Sequence, residues 1–437
     1  MSSNDIQLEM NFSEKQNRFR KIVEQGEFVL LIESAVPGPQ LTAREVLKQL
    51  QALENAVLGI DGINCGLAIL DRNFSREGWS AIEYAGKLSE ENRDRHVVYL
   101  SGKGKDRNEI DRQLAMAENA GNVNVAAVTG DLENHPVYTD SGTIFKRLRE
   151  KKNFFSGVTV NPYQYDPWAQ VAQYSKLAAR IMDDAGFFVT QAGWDTLKLQ
   201  SVSWFLLTRS LFAPGFVRLF LLTPERMKNM LEHTPPGLII GRELRKTLEN
   251  ELRLTRAQFD FAQIRRLTLQ AAACKILGFS GIQLSGAENP AVAAMAASQI
   301  AKALKKFNTF EDFMECYQSD MAEYEVNSFH LKFRLFDRVF HRPYPFDAPP
   351  QSRELPDPEI GFLEKLALKF ARKDEFACRR QHITTAGACP KHNCFGPCGG
   401  VMHDGRCEDG RHECVYRKWF RFADANDALA GIEKEMR

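Results

Sequence analysis

The residues of this chain that could do chemistry fall into two groups. One is a run of cysteines, Cys378-x10-Cys389-x4-Cys394-x3-Cys398-x8-Cys407-x6-Cys414. Thiolates at this density, framed by Gly396, Pro397, Gly399 and Gly400, suit tetrahedral S4 or S3N coordination. Zinc is the first choice for such a set and an iron–sulfur cluster is its rival. His382, His392, His403 and His412 are near enough in sequence to substitute as ligands or to support them. Structural disulfides are not expected in a reducing compartment, which leaves free surface thiols as the plain alternative. Cys65, Cys274 and Cys316 are scattered in apolar or helical surroundings and read as buried, inert thiols.

The second group consists of polar residues at the ends of apolar runs. Glu33 ends FVLLIE, Thr129-Gly130-Asp131 ends VNVAAVTGD, Asn161 follows GVTV, and Gln191 follows GFFVT; His96 begins HVVYL. A carboxylate ending an apolar strand is costly unless it is paired or used. Glu33 therefore reads either as a catalytic acid, its pKa brought towards neutral by desolvation, or as a salt bridge to an arginine. Gly130 allows a ligand close to the backbone, and Asp131 places a charge beside it. The neutral amide of Gln191 suits a ligand with paired donors and acceptors, such as a pterin edge.

The elements that must position these groups alternate between β-rich and helical character. Strand candidates are residues 28–33, 65–70, 96–100, 123–129, 157–160, 186–190, 217–222 and 281–284, with amphipathic stretches between them and a long helical region over 242–277. The strands are nearly continuous in apolar character, as in a parallel sheet buried on both faces. Eight such units over about 290 residues match an α/β fold of the (β/α)8 TIM-barrel type. An open doubly wound sheet is the runner-up, but no G-x-G-x-x-G turn supports it. The small residues of 65–70 make it the weakest strand, equally suited to a turn. This reading divides the chain into a barrel over 1–306, a helical extension and proline-rich linker over 307–369, and a cysteine-rich metal-binding domain over 370–437.

Composition narrows the function classes. The 437 residues are 44% hydrophobic and 26% charged, which is globular. Lys and Arg total 57 against 56 Asp and Glu, so no basic surplus points to nucleic acid. The longest apolar stretch, Phe216–Leu222, is broken by Arg218, so no membrane span is expected. The polar first 20 residues lack the apolar core of a secretion signal, and a cytoplasmic protein is expected.

Taken with their contexts (FVLLIESAVP, the TGD, VNPYQYDP, FFVTQAGWD and CPKHNCFGPCGG), these residues resemble the methylenetetrahydrofolate reductases, in particular the branch with a fused cysteine-rich C-terminal domain. The resemblance covers most of the chain. It implies FAD-dependent reduction of 5,10-methylenetetrahydrofolate to 5-methyltetrahydrofolate in one-carbon metabolism, with NADH or a protein as electron donor and a homo-oligomeric state compatible with it. Residue by residue, it implies that Glu33 is the acid that opens the five-membered ring. Asp131 would tune the flavin and bind folate, and Gln191 would contact the pterin. His96, Thr129, Gly130 and Arg180 would line the FAD site. Cys389, Cys398, Cys407 and Cys414 match the cysteines of the family's extension, with Cys394 an extra. Reduced flavin would supply the hydride while the protein positions and tunes it. The chain departs from the family where Gly66–Arg72 replaces a Ser-Val-Thr flavin contact, where Gln173 replaces a carboxylate, and where Ala192-Gly193-Trp194 replaces Pro-Val-Phe. Those departures leave room for an alternative: a folate-binding or tetrahydrofolate-dependent methyl-transfer protein with a diverged flavin site.

Overall fold

The computed structural model describes residues 17–38, 40–71, 79–132, 137–307, 309, 311–314, 316, 389–424 and 436. Cys378, the proline-rich connector and the expected domain boundary near residue 370 lie outside the described residues. Eight parallel strands close into a barrel in sequence order: β1 (Val29–Ala35), β2 (Asn64–Leu70), β3 (Val97–Ser101), β4 (Asn124–Val128), β5 (Phe155–Val160), β6 (Phe187–Thr190), β7 (Gly215–Phe220) and β8 (Gly281–Ser285). The fold is the expected (β/α)8 barrel. The doubtful segment 65–70 is a full strand, paired with β1 over its whole length. Gly66 is required there, because a Cβ at that position would stand 2.4 Å from the Arg95 carbonyl oxygen.

Strand side chains alternate between two environments, as period-two geometry demands. Leu30, Ile32, Leu67, Ile69, Val98 and Leu100 face outward into the main core beneath the helices. Val29, Leu31, Val97, Phe155, Phe187 and Phe216 fill the lumen instead. The lumen's N-terminal end is plugged by aromatic rings. The helix α1 (Arg18–Glu24) delivers Phe19 against Phe155, Phe187 and Phe216, with ring centroids 5.5–6.0 Å apart. Gly157 makes room for this plug, since a Cβ there would lie 2.3 Å from the Phe187 ring. Towards the C-terminal end the inward positions turn polar (Glu33, Arg218, Gln283, Tyr99), and the lumen opens into a cavity.

Helices α2 (Ala43–Leu58), α4 (Arg107–Ala120), α5 (Ser141–Glu150), α6 (Pro167–Met182), α7 (Thr196–Thr208) and α11 (Pro290–Lys306), with the short α3 (Ala81–Ala85), surround the barrel. The helical region expected over 242–277 is two helices, α9 (Arg242–Glu251) and α10 (Arg256–Ile276), preceded by α8 (Pro224–Glu232). The break has a local cause: Thr255 accepts from the Gln258 amide while the Gln258 side chain caps Thr255, a reciprocal box that starts a new helix. A final helix, α12 (Val415–Asp424), lays Tyr416, Trp419 and Phe420 against Ala169, Ala172 and Ala179 of α6. A buried ion pair, Arg417 Nε to Asp166 Oδ2 at 2.8 Å, fixes the same interface. No described helix is long and apolar enough to cross a membrane.

Two carboxylates at the N-terminal end make the fold acid-sensitive. Burial tends to raise Glu54, but bonds to His96 and Ser89 leave it lower than usual; Asp94 is likewise lowered, against its own burial, by Arg18. Carboxylates depressed in the folded state stabilise it above about pH 4, and that contribution disappears as pH falls through their native values. Urea midpoints of Glu54→Gln should therefore lie below wild type at pH 7 and converge with it near pH 3. Parallel curves would remove Glu54 from the account.

Candidate functional site

The C-terminal mouth holds a cavity of about 370 Å³ whose wall combines strand ends with the cysteine-rich segment. From the barrel come Tyr99, Thr129, Asp131, Asn161, Gln191, Arg218 and Gln283; from the C-terminal segment come Lys391, Cys398, Gly399, Gly400 and Glu408. Asp131 and Gln191 thus share one wall.

Glu33 lies directly beneath that wall. It is 0% exposed, and Arg218 grips it with two parallel bonds, from Nε to Oε1 and from Nη2 to Oε2 at 2.9 Å. Gln283 Nε2 donates to Oε1 at 2.7 Å, and Tyr99 donates its hydroxyl to Gln283 Oε1 at 2.6 Å. Burial would raise the Glu33 pKa, but the Arg218 charge and bonds from Arg218, Gln283 and Ser285 outweigh it and hold the group below the ordinary carboxylate range. Of the two readings of this residue, the structure contains the salt bridge. Held this way, the carboxyl gives up its proton more readily than an ordinary one. Its partner was visible in the sequence only as the charge interrupting 216–222.

Of the remaining residues assigned to a flavin by resemblance, Thr129 and Gly130 line the same cavity, whereas His96 and Arg180 are held elsewhere. His96 precedes β3 at the opposite end of the barrel, buried, with Nδ1 accepting from the Leu67 amide at 3.0 Å and Nε2 3.2 Å from Glu54 Oε1. Arg180, buried on α6, donates to the carbonyls of Phe395 (2.7 Å) and Met436 (2.9 Å). Thr129 donates its hydroxyl to Asn393 Oδ1 at 3.1 Å, and the Gly130 carbonyl accepts from Lys391 Nζ at 2.8 Å. In this arrangement Thr129, Gly130 and Arg180 are bonded to the chain's own C-terminal segment. The cavity is also at the lower end of the size for one small ligand.

The segment is seated by further bonds that sequence reasoning did not foresee. Asn161 Nδ2 donates to the carbonyls of Gly399 (2.7 Å) and Gly237 (2.9 Å), and Lys176 donates to Pro397 at 2.9 Å. Burial lowers Lys176 to a pKa of about 8, partly countered by nearby Cys398. Lys391 and Glu408 form a buried pair, and Glu408 Oε1 accepts from the Leu132 amide at 2.7 Å. Gly399, at φ +98°, supplies the left-handed turn that brings its carbonyl to Asn161.

The cysteines fit a soft metal in composition. Cys389, Cys394, Cys398, Cys407 and Cys414 are free thiols. Burial raises Cys389, Cys407 and Cys414, and the proximity of Cys398 raises each further, Cys407 reaching about 11. Such crowding of sulfur is what a bound cation relieves. The Gly400 amide points at the Cys398 sulfur at 3.4 Å, as it would towards a thiolate. Among the described residues the tightest ligand set is different: Cys407, Asp409 and His412 have ligand atoms all within 4.8 Å of one another.

No family model and no curated protein matches the chain. Among solved structures, an uncharacterized protein from Clostridium thermocellum, described as binding two copies of 5-methyl-5,6,7,8-tetrahydrofolic acid, superposes with a TM-score of 0.49 at 15% identity. The match covers 65% of this chain and 99% of that one.

Proposed function

We propose that the barrel mouth binds a reduced folate and that the chain is a folate-binding protein of one-carbon metabolism. The carrying observation is the chemistry of one wall: the Gln191 amide and the carboxylate residue Asp131 line a single small cavity, beside Tyr99, Thr129, Asn161 and Gln283, whose polar groups are already bonded within the protein and hold the wall rigid. A 2-amino-4-oxo heterocycle has N–H donors for a carboxylate and an oxygen acceptor for amide or guanidinium donors, so this wall can hold and orient one. Tetrahydrofolate-dependent methyl transfer, the alternative activity, must protonate the leaving N5 and would draw that proton from a group other than Glu33.

Flavin-dependent reduction of 5,10-methylenetetrahydrofolate, which the sequence resemblance implies, would use the same pterin position. It would require residues 391–400 to withdraw and a proton source other than Glu33. We further propose that the C-terminal cysteines hold zinc, drawn from Cys389, Cys398, Cys407 and Cys414, with a structural role.

Isothermal titration with 5-methyltetrahydrofolate tests the main reading. Binding should weaken by about 10-fold or more in Gln191→Leu and Asp131→Ala, the loss of one hydrogen bond to a buried or charged partner. Absence of binding to the wild-type chain would reject the reading. Flavin absorbance in the purified protein, bleached by the addition of methylenetetrahydrofolate's reduced product, would favour the reductase instead.

A further inference from the structure

The guanidinium of Arg218 carries five N–H donors in a rigid fork. Two of them, on Nε and Nη2, are spent on Glu33, and Nη1 reaches Gln191 Oε1 at only 3.4 Å. Among the described residues the other two donors have no protein acceptor. The Arg218 side chain is 28% exposed, and it lines the cavity. Its backbone is pinned as well: the Arg218 amide donates to Thr190 Oγ1 at 3.2 Å, and the β7–β8 register sets Arg218 beside Gln283. Glu33 is in turn held by Gln283, which Tyr99 holds from across the lumen. This is a charged donor fixed on one edge and left open on the other.

We infer that Arg218 is the ligand-orienting residue of this cavity, donating to an acceptor oxygen of the ligand, and that Glu33 is its positioning residue. The inference rests on the folate reading and specifies it: the oxygen is the 4-oxo group of the pterin. A bidentate carboxylate locks the guanidinium plane, so the free N–H groups point in one direction without any ordering cost at binding. A 4-amino group presented at the same place offers hydrogens to a donor and leaves the guanidinium unsatisfied. The cavity should therefore select by this single atom.

The test compares tetrahydrofolate with its 4-amino counterpart, tetrahydroaminopterin, by titration calorimetry on the full chain. Wild type should prefer the 4-oxo ligand by about 10- to 100-fold, the range expected for a hydrogen bond to a charged group. Arg218→Met on its own leaves a buried carboxylate and is a risk to folding, so the double variant Glu33→Gln/Arg218→Met is used, with Gln283 still able to bond to residue 33. The preference should fall to within about threefold in the double variant and shrink in Glu33→Gln, while Glu33→Asp retains a substantial part of it. A purely structural role for Glu33 would weaken both ligands equally and leave the ratio unchanged. Equal wild-type affinity for the two ligands, or an undiminished preference in the double variant, overturns the assignment of Arg218 while leaving folate binding in place. Binding of neither ligand to wild type overturns the folate reading itself.

Discussion

Arg218→Met alone should cost about 3–5 kcal/mol of folding stability, the loss expected when one partner of a buried ion pair is removed and the other is left uncompensated. The fault is local: Glu33 is fully buried and would lose two of its charged donors, keeping Gln283 and Ser285. Adding Glu33→Gln should recover most of the loss, because a neutral amide tolerates the site. The pH dependence has a definite sign. In wild type the Glu33 pKa is depressed, so the pair stabilises at neutral pH and loses that contribution only in acid. In Arg218→Met the lone carboxyl titrates above its ordinary value, so the variant loses stability as pH rises, and the gap to wild type widens from pH 5 to pH 8. Urea unfolding across that range measures it. A single variant within about 1 kcal/mol of wild type would mean that Glu33 is not confined as described.

Cys398→Ser should release stoichiometric zinc and free the C-terminal segment for proteolysis while the barrel stays folded. Apparent binding free energies of structural zinc are about 10–16 kcal/mol, and without that contribution short glycine-rich loops have little to offset their ordering entropy. Because Cys398 lines the cavity, the same change should also weaken ligand binding at the mouth. Metal analysis and limited proteolysis on one preparation report both effects. Full zinc occupancy with unchanged protease resistance would exclude Cys398 as a ligand. If His412→Ala loses the metal and Cys398→Ser keeps it, the ligand set is Cys407, Asp409 and His412. Iron and sulfide in place of zinc would make the segment an electron relay.

Much of the barrel was legible because its strands are buried on both faces, and β-rich apolar runs of 4–7 residues are hard to mistake when eight of them alternate with helices. The division of 242–277 into two helices was also written locally, in the Thr255-x-x-Gln258 box. Asp131 and Gln191 could be placed at one mouth because each ends or follows a strand, and β-strand ends converge in a barrel. The identity of Glu33's partner was not legible: Arg218 is 185 residues away, and only closure of β1, β8 and β7 into neighbours brings the two together. The position of His96, preceding its strand rather than following it, was the sequence sign that it belongs at the plugged end. Nothing in the spacing of the cysteines shows that their segment sits on the barrel. Those contacts are mostly side chain to carbonyl, and a carbonyl carries no sequence signature.

The shared wall of the cavity also imposes an order in time. Its residues run from Leu70 to Glu408, and the last strand of the barrel is complete more than a hundred residues before Glu408 is added. At about 5–20 residues per second, a ribosome needs roughly 6–25 s to cover that interval. During it the nascent barrel can close on its aromatic plug while Lys391, Cys398 and Glu408 do not yet exist. The polar mouth is then open to solvent, with Thr129, Asn161 and Arg180 lacking the C-terminal partners they have in the finished chain. Completion of the cavity wall is therefore a late event in the life of the polypeptide, separate from the formation of the barrel that supports it.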